Sequence, residues 1–336
     1  MIPGLLQSRR SALCMNSRRQ LLVTACALVA ATSPLAQPSA RMRVVGVLGN
    51  SATDLFRFFV AALAELGWIE GKTVTFVYRG ADQGYEATPE RARELVAMMV
   101  DLIIVTAGVT AALAAKQATS TIPILAIGVA DPVKFGLVAS LARPGANVTG
   151  FASTATDWGK YLELAREAIP GLQRVAVIAN PTNVGYADYV AANEAGAGQL
   201  GMKVQMIEVS RPSEIGAAFE AMKRERAEAL VFGPDRVFIA SMAEIVERAQ
   251  ALGLPVFAPV RLAAERGALL SYGLDARAML SHAAVYADRL LKGVRPADLP
   301  VEQPTRFELV VNLKSAKVLG LKLPQSLRLR ADEVIE

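Results

Sequence analysis

Apolar residues in this chain fall into short runs, separated by longer stretches in which apolar positions recur at helical spacing. Arg43 to Leu48, Thr73 to Tyr78, Leu102 to Val105 and Ile122 to Ile127 are predicted strands. Between them, Asp54 to Leu66, Pro89 to Met99 and Val109 to Gln117 are predicted helices. Asp131-Pro132 then punctuates the chain, because a residue before proline avoids the helical region. Phe135 to Leu141 is long enough for two helical turns, and Arg143-Pro144-Gly145-Ala146-Asn147 forces a turn. Val148 to Phe151 is short and β-branched, another predicted strand. Loop, short helix, Pro-Gly turn and strand together read as one edge of a ligand cleft, with a strand leading out of the domain.

After a break at Thr154 to Trp158 the alternation starts again. Tyr161 to Ala168, Val184 to Leu200, Ser213 to Glu225 and Val237 to Ala251 are predicted helices. Arg174 to Ala179, Lys203 to Glu208, Ala229 to Phe232, Pro255 to Ala258 and Ala268 to Tyr272 are predicted strands. A long helix over Ala276 to Leu291 ends in Lys292-Gly293, and Pro296 to Pro304 reads as a connector. Phe307 to Asn312 is strand-like, and Ser315 to Leu319 fits a short helix. Strands alternating with helices predict parallel, doubly wound sheets, and the restart predicts two similar α/β lobes.

Composition agrees with this and removes some functions. The chain has 336 residues, 53% hydrophobic and 20% charged, enough for two well-packed domains. Its net charge of +5 does not mark a nucleic-acid binder. Residues 1–40 carry Arg9, Arg10, Arg18 and Arg19 and no acidic residue. Without those four, 32 basic residues face 31 acidic ones.

Residues 1–40 have the layout of an export signal: Arg18-Arg19, an apolar stretch from Leu21 to Ala31, then small residues and prolines. The apolar stretch is too short to span a bilayer. Ser17-Arg18-Arg19-Gln20-Leu21-Leu22 resembles a twin-arginine signal, with Sec export as the alternative and Met15 as an alternative start. Cleavage is expected between Ala31 and Ala40. Val23-Thr24-Ala25-Cys26 loosely resembles a lipoprotein processing site. Cys14 and Cys26 are the only cysteines, so the mature chain is expected to have no disulfide and no thiol chemistry.

Three further stretches point to a family. Asp131-Pro132-Val133, Gly136 to Leu141 and Arg143-Pro144-Gly145-Ala146-Asn147-Val148-Thr149-Gly150 form the first. Phe307 to Lys314 forms the second, and Pro324-Gln325-Ser326-Leu327 with Arg330 to Ile335 the third. Their order and spacing resemble the solute-binding proteins of bacterial ABC importers, the tryptophan-binding-protein-like group, over everything after residue 42. The resemblance implies a type I periplasmic binding fold, two lobes joined by three crossover segments near Thr154, Gly273 and Thr305. It implies residues 1–40 as export signal, 41–153 plus 276–305 as the first lobe, and 154–275 plus 306–336 as the second. It also implies a small-molecule ligand, an ABC permease as partner, a monomer, and no cofactor. Similar proteins bind aromatic amino acids, so an amino acid or a small aromatic carboxylate is the expected ligand.

Ligands of open parallel sheets bind beyond the carboxyl ends of the strands, which directs attention to the loops there. Thr106-Ala107-Gly108-Val109-Thr110 is the candidate anion site: its glycine permits close approach, Thr106 and Thr110 donate, and a helix starts there with free N–H groups. An N-cap made by Thr106 or Thr110 is the structural alternative. Asn50 and Ser51 present the same choice. Asp131, Asp235 and Asp275 are candidates for a ligand ammonium, each with a turn or cap alternative. Tyr186 and Tyr272 are candidates to stack on a ligand ring, or else to pack; Asn183 lies in the same loop as Tyr186. Trp158 reads as hinge packing.

Gly196-Ala197-Gly198-Gln199-Leu200-Gly201 has the letters of a dinucleotide fingerprint, but it ends a helix, whereas that fingerprint opens one. Gly201 reads as a helix C-cap. His282, the only histidine, has no metal-spaced or nucleophile partner and reads as structural. A sensory module that passes its ligand signal to a receptor is the alternative to transport. An enzyme would need a nucleophile–base set or a metal-ligand cluster, and the mature chain offers neither.

Overall fold

Continuous Val/Ile/Leu runs with no polar alternation must be buried on both faces, and the structure covers both faces of each sheet with helices. The computed structural model describes residues 41–49, 54–80, 85–153, 159–303 and 306–336. In chain order the first lobe begins with β1 (Arg43–Leu48), α1 (Asp54–Glu65), β2 (Val74–Arg79), α2 (Thr88–Ala97), β3 (Leu102–Val105), α3 (Gly108–Ala118), β4 (Ile124–Ala130) and β5 (Val148–Ser153). The five strands lie parallel in the order β2-β1-β3-β4-β5. On β3, Leu102 and Ile104 face a core shared with Phe56, Phe59 and Leu63 of α1. Ile103 and Val105 face the opposite core, with Leu95 of α2 and Ala111, Ala112 and Ala115 of α3.

The second lobe continues with α4 (Gly159–Ala168), β6 (Arg174–Ala179), α5 (Tyr186–Leu200), β7 (Lys203–Glu208), α6 (Ile215–Arg224), β8 (Ala229–Phe232), α7 (Arg236–Ala240), α8 (Met242–Ala251), β9 (Val256–Ala258), α9 (Arg261–Glu265) and β10 (Leu270–Leu274). Then come α10 (Ala276–Leu291), β11 (Phe307–Asn312), α11 (Leu313–Val318), α12 (Gln325–Arg330) and β12 (Glu333–Ile335). The sheet order is β12-β11-β10-β9-β8-β6-β7. All neighbours are parallel except β10 and β11. That reversal follows from the path between them. The chain leaves β10, forms α10 against the first lobe with Leu280, Ala283, Ala287 and Leu291 in the α1 core, and returns from the opposite direction. Before returning, Glu302 pairs with Phe151 of β5 as a parallel bridge.

Two predicted helices need correction. Phe135 to Leu141 is a series of turns, closed by Phe135 N to Asp131 O (3.2 Å) and Leu137 N to Pro132 O (2.8 Å). Gly136 at φ 67° breaks any helical ladder there. The helix expected over Val237 to Ala251 divides at Ser241, whose ψ of 11° is outside the helical range and separates α7 from α8. Both pieces are anchored in one core by Val237, Phe238, Met242 and Ile245. Gly201 does close α5, in the left-handed conformation at φ 63°. Asn50, Ser51, Thr154, Trp158, Thr305 and the whole of residues 1–40 lie outside the described residues.

Candidate functional site

Each parallel strand ends on the same side of its sheet, and the loops that follow meet across a cleft. A cavity of about 620 Å³, part of it open solvent, lies there, lined by both lobes. The first lobe contributes Gly108 and Val109 after β3, Gly128 and Ala130 of β4, and Ser153 at the end of β5. The second contributes Ala179 and Asn180 after β6, Asn183, Gly185, Tyr186 and Tyr189 at the start of α5, and Gly233, Pro234, Asp235 and Phe238 around β8 and α7.

Local sequence explains how these residues come to face the cavity. Gly128, at φ 72°, sits where the register between β4 and β5 shifts, so it is the extra residue of a β-bulge. Bulges re-aim the residues after them, here Ala130. Gly233 carries no side chain because the Tyr189 ring packs against it; a Cβ would lie 2.7 Å from Tyr189 Cε2. Tyr189 is buried, and burial holds its hydroxyl pKa well above the usual tyrosine value. Tyr186 donates its hydroxyl proton to Glu208 at 2.6 Å, which fixes the ring and raises the phenol pKa.

At the first-lobe wall, α3 begins with Ala107 as its N-cap, and no side chain caps it. Neither Thr106 nor Thr110 takes the capping role. Thr106 Nα donates to Leu48 O at 3.1 Å, and its hydroxyl lies against Gly49. Thr110 Oγ1 accepts from Val184 N of the second lobe at 3.3 Å. The amide end of an 11-residue helix therefore borders the cavity through Gly108 and Val109, and it favours negative charge.

The opposite wall is centred on Asp235, the one charged side chain among the described residues lining the cavity. It is the N-cap of α7, accepting from Val237 N at 2.9 Å. Asn180 Nδ2 reaches its Oδ1 at 3.2 Å, and Asn183 Nδ2 reaches its Oδ2 at 2.8 Å. Tyr85, from the first lobe, donates to Oδ2 at 3.1 Å. The Arg236 guanidinium lies over the Tyr85 ring at 4.5 Å. Burial, then the Asp235 charge, raises the Tyr85 pKa far above its usual value.

Of the candidate residues, Gly108, Asn183, Tyr186 and Asp235 meet at this cavity. Three others have structural partners outside it. Asp131 is exposed, at φ 31°, and accepts from Lys134 N at 3.0 Å in a turn. Tyr272 stacks on Phe307 at 5.4 Å, and its carbonyl accepts from the Tyr161 hydroxyl at 2.8 Å. Asp275 caps α10, accepting from Ala278 N at 3.0 Å, and faces Arg306 at 3.5 Å. His282 pairs with Glu302 at 3.2 Å, away from the cavity. Tyr85, Tyr189 and Phe238 carry no local signal in the sequence. Among the described residues no group of His, Cys, Asp and Glu could hold a metal ion.

The fold and this cleft define a two-lobed solute-binding protein, and the sequence places it in a family. The profile of the family described as ABC transporter substrate binding protein matches residues 44–335, so the chain belongs to that family. It is 28% identical over 276 residues to a tyrosine-binding protein of Clostridioides difficile, covering 82% of this chain and 78% of the relative. The structure resembles an ABC domain from Streptococcus pneumoniae in complex with L-Trp, with TM-score 0.77, 23% identity, and coverage of 88% of this chain and 100% of that one. A ligand-free, open structure of a substrate-binding protein with adhesive properties from Clostridium difficile gives TM-score 0.57 at 25% identity, covering 88% and 99%.

Proposed function

We propose that this chain is the exported solute-capturing component of an ABC importer, which binds an amino acid or small aromatic carboxylate between its lobes and delivers it to a membrane permease. One observation carries the reading: an uncapped helix end on one lobe faces a carboxylate on the other, across a cavity walled by Tyr186, Tyr189 and Phe238. The amide end of α3 suits a ligand carboxylate, the field of Asp235 suits an ammonium, and the rings suit a flat apolar side chain. The two relatives whose descriptions name tyrosine and L-Trp support that ligand class. We assign residues 41–153 with 276–305 to one lobe and 154–275 with 306–336 to the other. The export layout of residues 1–40 supports a periplasmic location, and we propose that the protein acts there as a monomer.

The test is calorimetric titration of the denatured and refolded protein with the aromatic amino acids, the other amino acids and small aromatic acids. Saturable binding of one member, recovered chemically unchanged after long incubation, is expected. Turnover of that solute, or no heat from any of them, overturns the reading. Loss of labelled-solute uptake on deletion of the gene tests delivery separately.

A further inference from the structure

Closure of two lobes is usually ascribed to a ligand that touches both, yet here a side chain of the protein itself crosses the cleft. Tyr85 belongs to the turn before α2 in the first lobe, where its carbonyl accepts from Thr88 N at 3.1 Å. Its side chain, 6% exposed, is buried against the second lobe. Both polar functions of the hydroxyl are matched there: it donates to Asp235 Oδ2 at 3.1 Å and accepts from Asn183 Nδ2 at 3.3 Å. Arg236, buried in the second lobe, covers the ring face. Tyr85 is not a wall of the cavity.

We infer that Tyr85 is a latch: a positioning residue of the first lobe that seats on Asp235 and Asn183 and holds the lobes closed independently of any solute. Among the described residues, comparison with other side-chain contacts between the lobes supports this. Lys134–Asp188 and Glu86–Arg211 are ion pairs with every partner about half exposed or more, and such pairs contribute little. The bond from Val184 N to Thr110 is long, at 3.3 Å. The Tyr85 bond is also long for its kind, at 3.1 Å, but it is buried and its acceptor is a charged carboxylate. The ring adds buried area and a cation–π contact. Asp235 would then have two roles, drawing the ligand and receiving the latch.

The inference rests on the capture reading for its purpose, but its test contains no ligand. In the full chain with Cys14→Ser and Cys26→Ser, spin labels at Arg93→Cys on α2 and Glu220→Cys on α6 report the separation of the lobes. Both sites are exposed, on helices of opposite lobes. Pulsed electron–electron resonance on the refolded, solute-stripped protein is expected to show a short and a long distance. Tyr85→Phe keeps the ring and removes the hydroxyl; it should shift the ratio toward the long distance roughly tenfold, the effect of one hydrogen bond to a charged group. Asp235→Asn, which keeps an oxygen for the cap, should shift it in the same direction. Tyr286→Phe, whose hydroxyl bonds Pro300 O and Glu302 within the first lobe and lies outside the cavity, should leave the ratio unchanged. A single long distance in the parent, no shift in Tyr85→Phe, or an equal shift in Tyr286→Phe overturns the latch. A protein that binds no solute but shows the Tyr85-dependent shift keeps the latch and loses the capture reading. The reverse result keeps capture and loses the latch.

Discussion

At the scale of single residues, the site depends on backbone positions where a side chain would be out of place. Gly233 lets the Tyr189 ring approach β8, and an added Cβ at 2.7 Å from the ring has no flexible group to displace. Gly233→Ala is expected to destabilise the protein by about 1–3 kcal/mol, the usual cost of overpacking. Thermal unfolding would measure it, and an unchanged melting temperature would show that the ring moves freely. Met99 is the opposite case. It follows α2 at φ 51° and is 76% exposed, so a left-handed conformation is imposed on a residue that gains no burial. Met99→Gly should raise stability by about 0.5–1 kcal/mol, because glycine adopts that conformation without the Cβ clash. A lower melting temperature would mean that the exposed side chain contributes more than the strain it carries.

Elements are tied together at their ends as well as through their faces. At the starts of β6 and β8, Glu228 accepts from Gln173 N at 2.8 Å and Arg174 N at 3.1 Å, while its own amide donates to Arg174 O at 2.9 Å. Burial alone would raise the Glu228 pKa, but the two amides and the Arg174 guanidinium outweigh it and hold the carboxyl below its ordinary range. A folded-state pKa below the unfolded value stabilises above the unfolded pKa, and that stability is lost as pH falls through the folded value. Glu228→Gln should therefore lower stability near pH 7, by up to about 1 kcal/mol at this partly exposed site. The deficit should shrink as the pH drops below the carboxylate range. Denaturant unfolding at several pH values would show it, and a deficit constant with pH would assign the effect to packing.

On the scale of the molecule, the three passages of the chain between sheets make the lobes separate bodies with one cleft. The Tyr85 contact requires the two lobes to lie close together. A solute that binds the folded chain alone, at about 100 times its dissociation constant, should stabilise it by roughly 2.7 kcal/mol. Melting temperature should then rise by several degrees, about 2–4 °C per kcal/mol for chains near this size, and keep rising with concentration. A plateau at one equivalent of a weak binder would be inconsistent with mass action. Export makes a separate prediction. Both cysteines precede residue 27, so the processed protein, unfolded and treated with a thiol reagent, should take up no label. A labelled or lipid-bearing Cys26 would indicate an anchored form.

The sequence by itself determined the two-lobed α/β architecture, because doubly buried strands need continuous apolar runs and the helices between them need apolar stripes. Both periods are local, and Leu102 to Val105 or Ala229 to Phe232 can be read without knowing their neighbours. It also pointed to the loops beyond the strands, and so to Gly108, Asn183, Tyr186 and Asp235. The antiparallel step at β11 and the short α9, α12 and β12 were not legible, since they arise from where the chain re-enters a sheet or from runs too short to show a period. Only the tertiary structure decided which loop residues share a cavity. Asp131, Asp235 and Asp275 look alike along the chain, each a carboxylate at a strand-to-helix turn. Asp131 closes a turn and Asp275 faces Arg306, while Asp235 receives Tyr85 from 150 residues away. No spacing rule brings Tyr85 to Asp235; the packing of one lobe against the other does.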